Sequence, residues 1–377
     1  MTKSKETAGM VGKKGAIEVQ FNWVMILIMG ALILIVFFSV SQRQKTISEQ
    51  RISDKSLSQL NIVLAGSKVS ADTANIVSVP KNEIQFSCDL ATCTKYGCLS
   101  NFKIKGMNQA GKTYNVNPVF SPSSLKGEAV TLWALDWSIP YRVSNLVYIT
   151  NPEVRYIIVF NETNPGSREA ALEINNTLPE SIYSVSGRRA FNIEIVSISN
   201  LDKTKNKNNF KSNFIIVNGR GIGNIDPSFL KSDVKVMNID FNDASEGING
   251  FGSVQFFELD DSTKNYILKS EKPFIGKAPL FGAIFSEDSS TYECNMRKAI
   301  NAGKITTDLT IDRINRLTPL SPPLCQAYYS EAKNTLTNID ASLSQFSLEG
   351  FFSLYNYGRE LENINLNLQK QSCATIY

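Results

Sequence analysis

Six cysteines are the residues with the clearest potential for chemistry in this chain of 377 residues. They form two odd groups, namely Cys88, Cys93 and Cys98, then Cys294, Cys325 and Cys373. An even number of cysteines outside the reducing cytosol usually forms disulfides. Because each group is odd, complete pairing requires at least one bridge between the groups. We expect Cys294–Cys325 as a local pair, and the other pairings stay open.

A metal site is the alternative use of the first cysteine group. Its C-x4-C-x4-C spacing could supply three thiolates, with a fourth ligand from elsewhere in the chain. The chain contains no His, however, and His is a common partner of Cys in zinc sites. The same lack excludes Ser-His-Asp and Cys-His catalysis. We therefore expect disulfides, no metal, no catalytic residues and no enzymatic activity.

A glycine-rich segment, Gly219–Gly223, follows the apolar run Phe214–Val217. A strand, a glycine turn and an acid about twenty residues later, here Asp240, imitate a dinucleotide fingerprint. Asn224 stands where the last glycine of that fingerprint belongs, and the helix expected after it would be very short. We interpret the segment as a flexible turn and expect no cofactor.

Two N-x-S/T sequons make Asn161 and Asn175 candidate acceptors for N-linked glycans. Both sequons and all six cysteines lie downstream of a long apolar segment near the N-terminus. Disulfides and N-glycans belong to the exterior side of a membrane. We therefore place residues 43–377 outside the cell membrane, as the C-terminal domain of a single-pass protein.

The apolar segment is an unbroken run from Trp23 to Phe38, and no charge occurs between Glu18 and Arg43. This uncharged stretch is long enough for a helix to cross a hydrocarbon core of about 30 Å. Trp23 lies at one rim, where amphipathic rings are favoured. A buried core helix and a cleavable secretory signal ending at Ser39–Ser41 are the alternatives to an anchor.

The residues before the apolar run resemble a known signal. Lys13 and Lys14 precede Gly15 and Ala16, and the hydrophobic helix begins a few residues later. This arrangement resembles the archaeal class III signal peptide, which is type IV pilin-like. The resemblance implies cleavage after Gly15 and a helix that stays with the mature protein. Glu18 would then be the third residue, whereas pilins usually carry the acid fifth; a plain type II anchor is the alternative.

Charge is distributed evenly over the exterior part. The chain has 39 basic and 35 acidic residues, of which residues 1–42 hold four and two, so residues 43–377 hold 35 and 33. One basic cluster interrupts this balance, formed by Lys203, Lys205, Lys207 and Lys211 among asparagines. Beyond Phe210 it has no aromatic residues that could form a stacking surface. We expect a solvated loop and no nucleic-acid partner.

Turn residues and changes of apolar periodicity predict an α+β fold in six segments. They are a cytoplasmic basic tail or signal over 1–18, a transmembrane helix over 19–42, a helical stalk over 43–70, a β-rich subdomain over 71–150, an α/β domain over 151–275 and a C-terminal helical region over 276–377. The stalk is expected to end at 65–67, where Gly66 favours a helix stop.

Apolar runs place the elements of the last two segments. We expect strands at Tyr156–Phe160, Phe191–Ile198, Phe214–Val217 and Val234–Phe241, an edge strand at Ser253–Leu259, and a helix over 168–178. Further on we expect short helices at Tyr292–Ala302 and Asp308–Leu317, then a helical hairpin of Gln326–Phe346 and Leu348–Gln371. Leu336, Ile339 and Leu343 lie on one face of the first hairpin helix.

Several phrases resemble an uncharacterised family of archaeal membrane-anchored proteins. They are Val119–Gly127, Trp137–Tyr141, Asn145–Tyr148, Val154–Tyr156, Gly282–Ser286 and Tyr292–Met296. The resemblance implies an architecture and a membrane location but no activity. It is consistent with a membrane-anchored extracytoplasmic structural or adhesion protein, or a pilin-like one, whose partners are the membrane, further copies or other surface proteins. The alternative is a module that binds a ligand or peptide at the strand ends of the α/β domain.

Overall fold

The computed structural model describes residues 14–67, 70, 72–94, 98–105, 112–113, 118–179, 191–203, 211–218, 234–242, 246–260, 262–263 and 265–377. The chain divides into two compact units, Met1–Asp54 and Lys55–Tyr377. Helix α1, Lys14–Ser67, contains the boundary between them. The fold is mixed α+β, as predicted, with an N-terminal apolar helix, two sheets and C-terminal helices.

The first unit contains the predicted apolar helix. Within α1, the 23 residues Trp23–Lys45 are long and apolar enough to cross a membrane, and none of their most apolar window is buried by the protein. A signal sequence near an N-terminus would have the same length and composition. Gly15 and Ala16 lie in the first turn of α1, and cleavage after Gly15 stays a prediction.

The second unit begins with the last turns of α1. Leu57, Leu60 and Leu64 recur at helical spacing and are almost completely buried. The helix ends at Ser67, close to the stop that Gly66 predicts. The Ser67 hydroxyl donates to the Leu64 carbonyl at 2.8 Å, and the Ser67 carbonyl accepts from Asn145 Nδ2 at 3.0 Å. The helix end is therefore fixed to the sheet that contains Asn145.

The first sheet has six strands and is mainly antiparallel. Its strands are β1 Ala74–Cys88, β2 Ser100–Ile104, β3 Lys112–Thr113, β4 Val119–Phe120, β5 Ser124–Ser138 and β6 Arg142–Thr150. Their order is β3-β2-β1-β5-β6-β4, and β4 alone pairs in parallel, with β6. The long strands β5 and β6 were not predicted, and the register of β1 on β5 shifts between Ser78 and Asn82.

The second sheet also has six strands. They are β7 Val154–Phe160, β8 Asn192–Ser197, β9 Lys211–Val217, β10 Val234–Phe241, β11 Phe251–Leu259 and β12 Tyr266–Ile275, in the order β12-β11-β10-β9-β7-β8. Strands β8, β7, β9 and β10 pair in parallel, whereas β11 and β12 join them antiparallel. The predicted edge position of Ser253–Leu259 is wrong, because β12, which was not predicted, covers it.

Helices complete the second unit. They are α2 Pro165–Thr177, α3 Lys277–Phe285, α4 Ser289–Leu317, α5 Pro323–Leu343 and α6 Leu348–Lys370. Helices α5 and α6 pack against each other, as predicted. The prediction of two short helices at Tyr292–Ala302 and Asp308–Leu317 is wrong, because α4 continues through Gly303. A Cβ at Gly303 would lie 3.4 Å from Leu343 of α5, which is an ordinary van der Waals distance.

One hydrophobic core links both sheets through α3. Every residue of α3 from Ala278 to Phe285 is buried. Phe281 and Phe285 lie between Trp133 of β5 and Tyr156 of β7, with ring centroids 4.9 Å apart for Trp133–Phe281 and 5.1 Å for Tyr156–Phe285. A smaller apolar cluster lies apart from this core and includes Ile157, Phe214 and Val236. The central strands of the second sheet are therefore buried on both faces, as continuous apolar runs predict.

The disulfides join Cys88 to Cys294, Cys93 to Cys98 and Cys325 to Cys373. The predicted bridge between the two cysteine groups is confirmed. The predicted pair Cys294–Cys325 is wrong: Cys294, on α4, bonds to the end of β1, whereas Cys325, at the start of α5, bonds to the segment after α6. The sulfurs of Cys93, Cys98 and Cys294 lie within 4.8 Å of one another, but disulfide sulfurs lack the charge of thiolate ligands.

Candidate functional site

An open groove of about 590 Å³ lies where β10 ends, β11 begins and α6 starts. It is lined by Asp240, Phe241, Asn242, Phe251, Gly252, Ser253, Leu348, Glu349 and Phe352. The groove lies at the carboxyl end of the parallel strand β10. Ligands bind most often at this edge of α/β sheets.

Close backbone packing shapes the floor of the groove. A Cβ at Gly252 would lie 2.5 Å from the Asp240 carbonyl and 2.5 Å from the ring of Phe274, so only glycine fits between β10 and β12. The Asn242 N–H donates to the Phe251 carbonyl at 3.1 Å and extends the pairing of β10 with β11. These contacts fix the backbone at the end of β10 and at the start of β11.

The first turn of α6 forms the wall. Ser347 caps the helix by accepting from the Gly350 N–H at 3.1 Å. This cap places Leu348, Glu349 and Phe352 at the groove, where Phe352 is 44% exposed. The ring of Phe352 lies 5.7 Å from that of Phe251, centroid to centroid. The wall is therefore aromatic and open to solvent.

The helix that carries the aromatic wall is held by two contacts to Glu246, a hydrogen bond and an ion pair. Tyr355 lies one turn after Phe351 and donates its hydroxyl to the carboxylate of Glu246. Arg359 Nη1 donates to the same carboxylate at 3.2 Å, and its guanidinium lies 5.8 Å from the centre of the Tyr355 ring. These contacts attach α6 to the turn before β11.

The charges of the groove have one sign. Asp240 and Glu349 are exposed acids among the lining residues, and none of those residues is basic. The Ser253 hydroxyl donates to Glu271 at 2.5 Å, which engages it in the sheet. Aromatic surface with acidic neighbours attracts a ligand that has an apolar body and a positive charge. The aromatic and acidic lining of the groove is therefore suited to binding such a ligand.

Of the residues in the predicted glycine motif, only Asp240 is among the described residues that line this groove. Asp240 lies at its rim, but Gly219–Gly223 fall outside the described residues. Asn218, at the end of β9, has a φ of 48°, and its Oδ1 accepts from the Phe241 N–H at 3.0 Å. The chain therefore leaves β9 in a left-handed conformation, which asparagine tolerates better than most residues.

The first sequon is near the same edge of the sheet, whereas the second is on a helix. Asn161 directly follows β7, and its N–H donates to Ser167 Oγ at 3.0 Å. Ser167 Oγ donates in turn to the carbonyl of Val217 in β9. Asn175 lies in the last turn of α2. The structure therefore separates two acceptors that look alike in the sequence.

A buried lysine lies near the bridge between the cysteine groups. Lys298 is one turn after Cys294 on α4, is 4% exposed and donates to Ser100 Oγ of β2. Burial lowers the pKa of its ammonium group to about 7. Sequence reasoning missed this residue, although its position one turn after Cys294 places both on one helix face.

The groove was also missed, because its two sides come from distant segments. Phe351-Phe352 was the available signal in the sequence. Neighbouring side chains on a helix point in directions about 100° apart. If Phe351 points into the core, Phe352 must therefore point away from it. Phe351 is buried and Phe352 is half-exposed in the structure.

Comparison with known proteins found no match: no protein-family model, curated protein or solved structure is similar to this chain. The resemblances to an archaeal class III signal and to an archaeal family therefore stay predictions. Function has to be argued from the contacts and charges of the chain itself.

Proposed function

We propose that this protein is a membrane-anchored, extracytoplasmic structural or adhesion protein with a pilin-like organisation and no catalytic activity. One observation carries the proposal. A single helix, α1, contains both an exposed apolar stretch, Trp23–Lys45, and the leucines that enter the core of the second unit. Such a helix joins a membrane segment directly to a folded domain.

The apolar stretch needs an apolar surrounding. Its side chains are exposed on every face, including Leu27 at 69% and Phe37 at 69%. Exposed apolar surface costs roughly 25 cal/mol per Å² in water. A bilayer, or neighbouring copies of the same helix, removes this cost. We propose the bilayer as the first environment of the stretch.

The disulfides support an extracytoplasmic location of the second unit. All six cysteines are paired. Structural disulfides persist in oxidising compartments and are rare in the cytosol. The residues before the apolar stretch contain no cysteine, which fits a cytoplasmic position.

Self-association through the apolar helix makes the organisation pilin-like. In a protein with a class III signal, cleavage leaves the hydrophobic helix at the new N-terminus. Here that helix would begin with Ala16 and would present apolar side chains from Trp23 onward to other copies. Its association would bury the same surface that the bilayer covers.

Intact-mass measurement of the protein from native membranes, with and without reductant, tests the anchor and the signal together. A missing mass equal to residues 1–15 and a gain of six hydrogens on reduction support the proposal. Loss of mass through Ser41 would mean a released protein and would overturn it.

A matched pair of variants tests the membrane segment. Leu34→Arg places a charge within the apolar stretch, and Ile62→Arg places one on the exposed part of the same helix in the second unit; these leucine and isoleucine side chains are 57% and 68% exposed. We expect only Leu34→Arg to release the protein from membranes in flotation and to abolish crosslinked oligomers. Equal behaviour of both variants would contradict the proposal.

The acidic aromatic groove supports a second candidate function, which is binding of a ligand or peptide. Thermal-shift measurements on the full chain in detergent would compare nucleotides, sugars and short peptides that combine an aromatic residue with lysine. We expect stabilisation only by the basic aromatic peptides, and a loss of that shift in Phe352→Ala. No shift with any of these ligands would remove this candidate.

A further inference from the structure

We infer that Asn161, and not Asn175, is the acceptor of an N-linked glycan. The donor would be an oligosaccharide carried on a polyprenyl phosphate or pyrophosphate. The inference rests on the extracytoplasmic location proposed above. It adds a modification site to that function and chooses between two sequons of equal sequence quality.

The first sequon folds into a turn that brings its three residues together. Asn161 Oδ1 accepts from the Thr163 N–H at 3.0 Å and from the Thr163 hydroxyl at 2.8 Å. The Asn161 carbonyl accepts from the Asn164 N–H at 3.1 Å. Side-chain amide and threonine hydroxyl are therefore already in contact, which is the pairing that the N-x-T requirement reflects.

This turn leaves the reacting atom of Asn161 available. The hydrogen bonds of the described residues use Asn161 N–H, carbonyl and Oδ1, and none of them uses Nδ2. Asn161 itself is partly exposed, and Glu162 and Thr163 are exposed. A glycan on Nδ2 would consequently break no bond that holds the turn.

Contacts outside the sequon hold the turn in place. Ser167 Oγ links the Asn161 N–H to the Val217 carbonyl of β9. Ser199 donates its hydroxyl to Glu162 at 2.7 Å. Hydrogen bonds from Ser197 and Ser199 to Glu162 lower the pKa of its carboxyl group, because they stabilise the charged form. The sequon is therefore ordered by the sheet on which it stands.

The transfer reaction balances without an oxidant or a cofactor of this chain. A C–N bond forms between Asn161 Nδ2 and the anomeric carbon of the sugar, and the C–O bond from that carbon to the lipid phosphate breaks. The lipid phosphate leaves with the electron pair, and one amide proton passes to a base of the transferase. The hydrogen bond from Thr163 to Oδ1 orients the amide for this attack.

The second sequon has the opposite geometry. Asn175 and Thr177 are part of α2, and the Thr177 hydroxyl donates to the Glu173 carbonyl at 2.8 Å within the helix. Asn175 Nδ2 lies 3.5 Å from Asn176 Oδ1, its neighbour. This sequon can adopt a non-helical conformation only if the last turn of α2 unwinds. Unwinding would expose the buried residues Ile174 and Leu178. The folded protein therefore withholds it.

Glycopeptide mass spectrometry on the full chain tests the inference, after production in cells with a sequon-specific oligosaccharyltransferase. Modification at Asn175 requires exposure of the buried side chain of Ile174, which costs free energy. We therefore expect glycan occupancy at Asn161 to exceed that at Asn175 by about tenfold or more. Asn161→Gln and Thr163→Ala should abolish the glycan, whereas Thr163→Ser and Asn175→Gln should retain it. A glycan on Asn175 with Asn161 unmodified would overturn the inference.

A created sequon separates failure of this inference from failure of the proposed location. Asp261→Asn makes the sequence Asn-Ser-Thr, whose Ser262 and Thr263 are exposed. Modification at 261 without modification at 161 overturns the inference and leaves the location intact. No modification at either position, together with protease protection that places the second unit in the cytoplasm, overturns both.

Discussion

The two sheets of the second unit are held together by different means. The first sheet is mainly antiparallel, and its strand β1 is bonded covalently to α4 through Cys88–Cys294. The second sheet is parallel at its centre, and the chain has no cysteine from β7 to β12. Its strands depend on burial of both faces and on ion pairs, among them Lys211–Glu287, which is buried, and Arg155–Glu194. The candidate groove and the sequon turn lie on this second sheet.

The covalently linked part of the second unit therefore differs from the part that exposes candidate binding and modification sites. The disulfides fix elements of the first sheet and of the C-terminal helices. The carboxyl edge of the second sheet instead exposes Asp240, Asn242 and the Asn161 turn. Loops at strand ends can vary without disturbing the ladder behind them.

Removal of the long-range disulfide should have the largest effect. The double variant Cys88→Ala/Cys294→Ala opens a loop of 206 residues. Because the unfolded chain gains conformational entropy, we expect the free energy of unfolding to fall by about 5 kcal/mol. The matched variant Cys93→Ala/Cys98→Ala opens a loop of five residues and should cost only about 2 kcal/mol. Denaturant unfolding in detergent measures both. Equal losses would mean that the first sheet does not depend on its covalent link.

Removal of the buried ion pair should weaken the link between the sheets. Lys211 of β9 lies 2.5 Å from Glu287, whose side chain is 3% exposed and accepts from Ser123 just before β5. Lys211→Met leaves that carboxylate unpaired, and we expect a loss of about 3 kcal/mol. Lys269→Met is the control, since its pair with Glu258 is exposed and should be worth less than about 1 kcal/mol. A small effect of Lys211→Met would show that this ion pair adds little to the link between the sheets.

Lys298 should make stability depend on pH. Its pKa in the folded state is lowered to about 7, so between pH 7 and 10 the unfolded chain binds more protons. Unfolding free energy should therefore rise with pH, by about 1 kcal/mol from pH 7 to 8, and flatten below pH 6. Subtracting the pH profile of Lys298→Met from that of the natural chain isolates this contribution. A difference that falls with pH would contradict the assignment.

Changes in the groove wall should have the smallest effect on stability. Phe352→Ala removes a half-exposed ring, so we expect a loss below about 1 kcal/mol. Leu366→Ala, at a position of α6 that is 46% exposed and outside the groove, is the control and should behave alike in unfolding. Only Phe352→Ala should alter binding of basic aromatic peptides. A large loss in Phe352→Ala would identify the ring as structural.

Local apolar patterns predicted the second sheet better than the first. Tyr156–Phe160, Phe214–Val217 and Val234–Phe241 are short apolar runs between polar turns, and β7, β9 and β10 occupy them within a few residues. Strand β5 was not recognised because it spans 15 residues and contains Gly127. Pairing with Asn82 of β1 keeps that glycine in the sheet, and such pairing is invisible in one sequence.

Interactions between distant residues account for most of what the sequence did not reveal. The break predicted between Ala302 and Asp308 does not occur, because one helix runs from Ser289 to Leu317 and packs against α5. Counting cysteines predicted a bridge between the groups, yet the partner of Cys294 was determined by the packing of α4 on β1. Leu348 and Asp240 share a groove across more than a hundred residues of chain. No spacing rule connects such positions.

The span of Cys88–Cys294 has a consequence for biogenesis. Ribosomes add about 5–20 residues per second, so roughly 10–40 s separate the synthesis of Cys88 from that of its partner 206 residues later. Cys93 and Cys98 emerge almost at once and compete for Cys88 during that interval. An early Cys93–Cys98 bridge is native, but an early bridge from Cys88 to either of them must be exchanged by thiolate attack once α4 arrives. Native protein should therefore accumulate only where an isomerase or a thiol shuttle works beside the nascent chain.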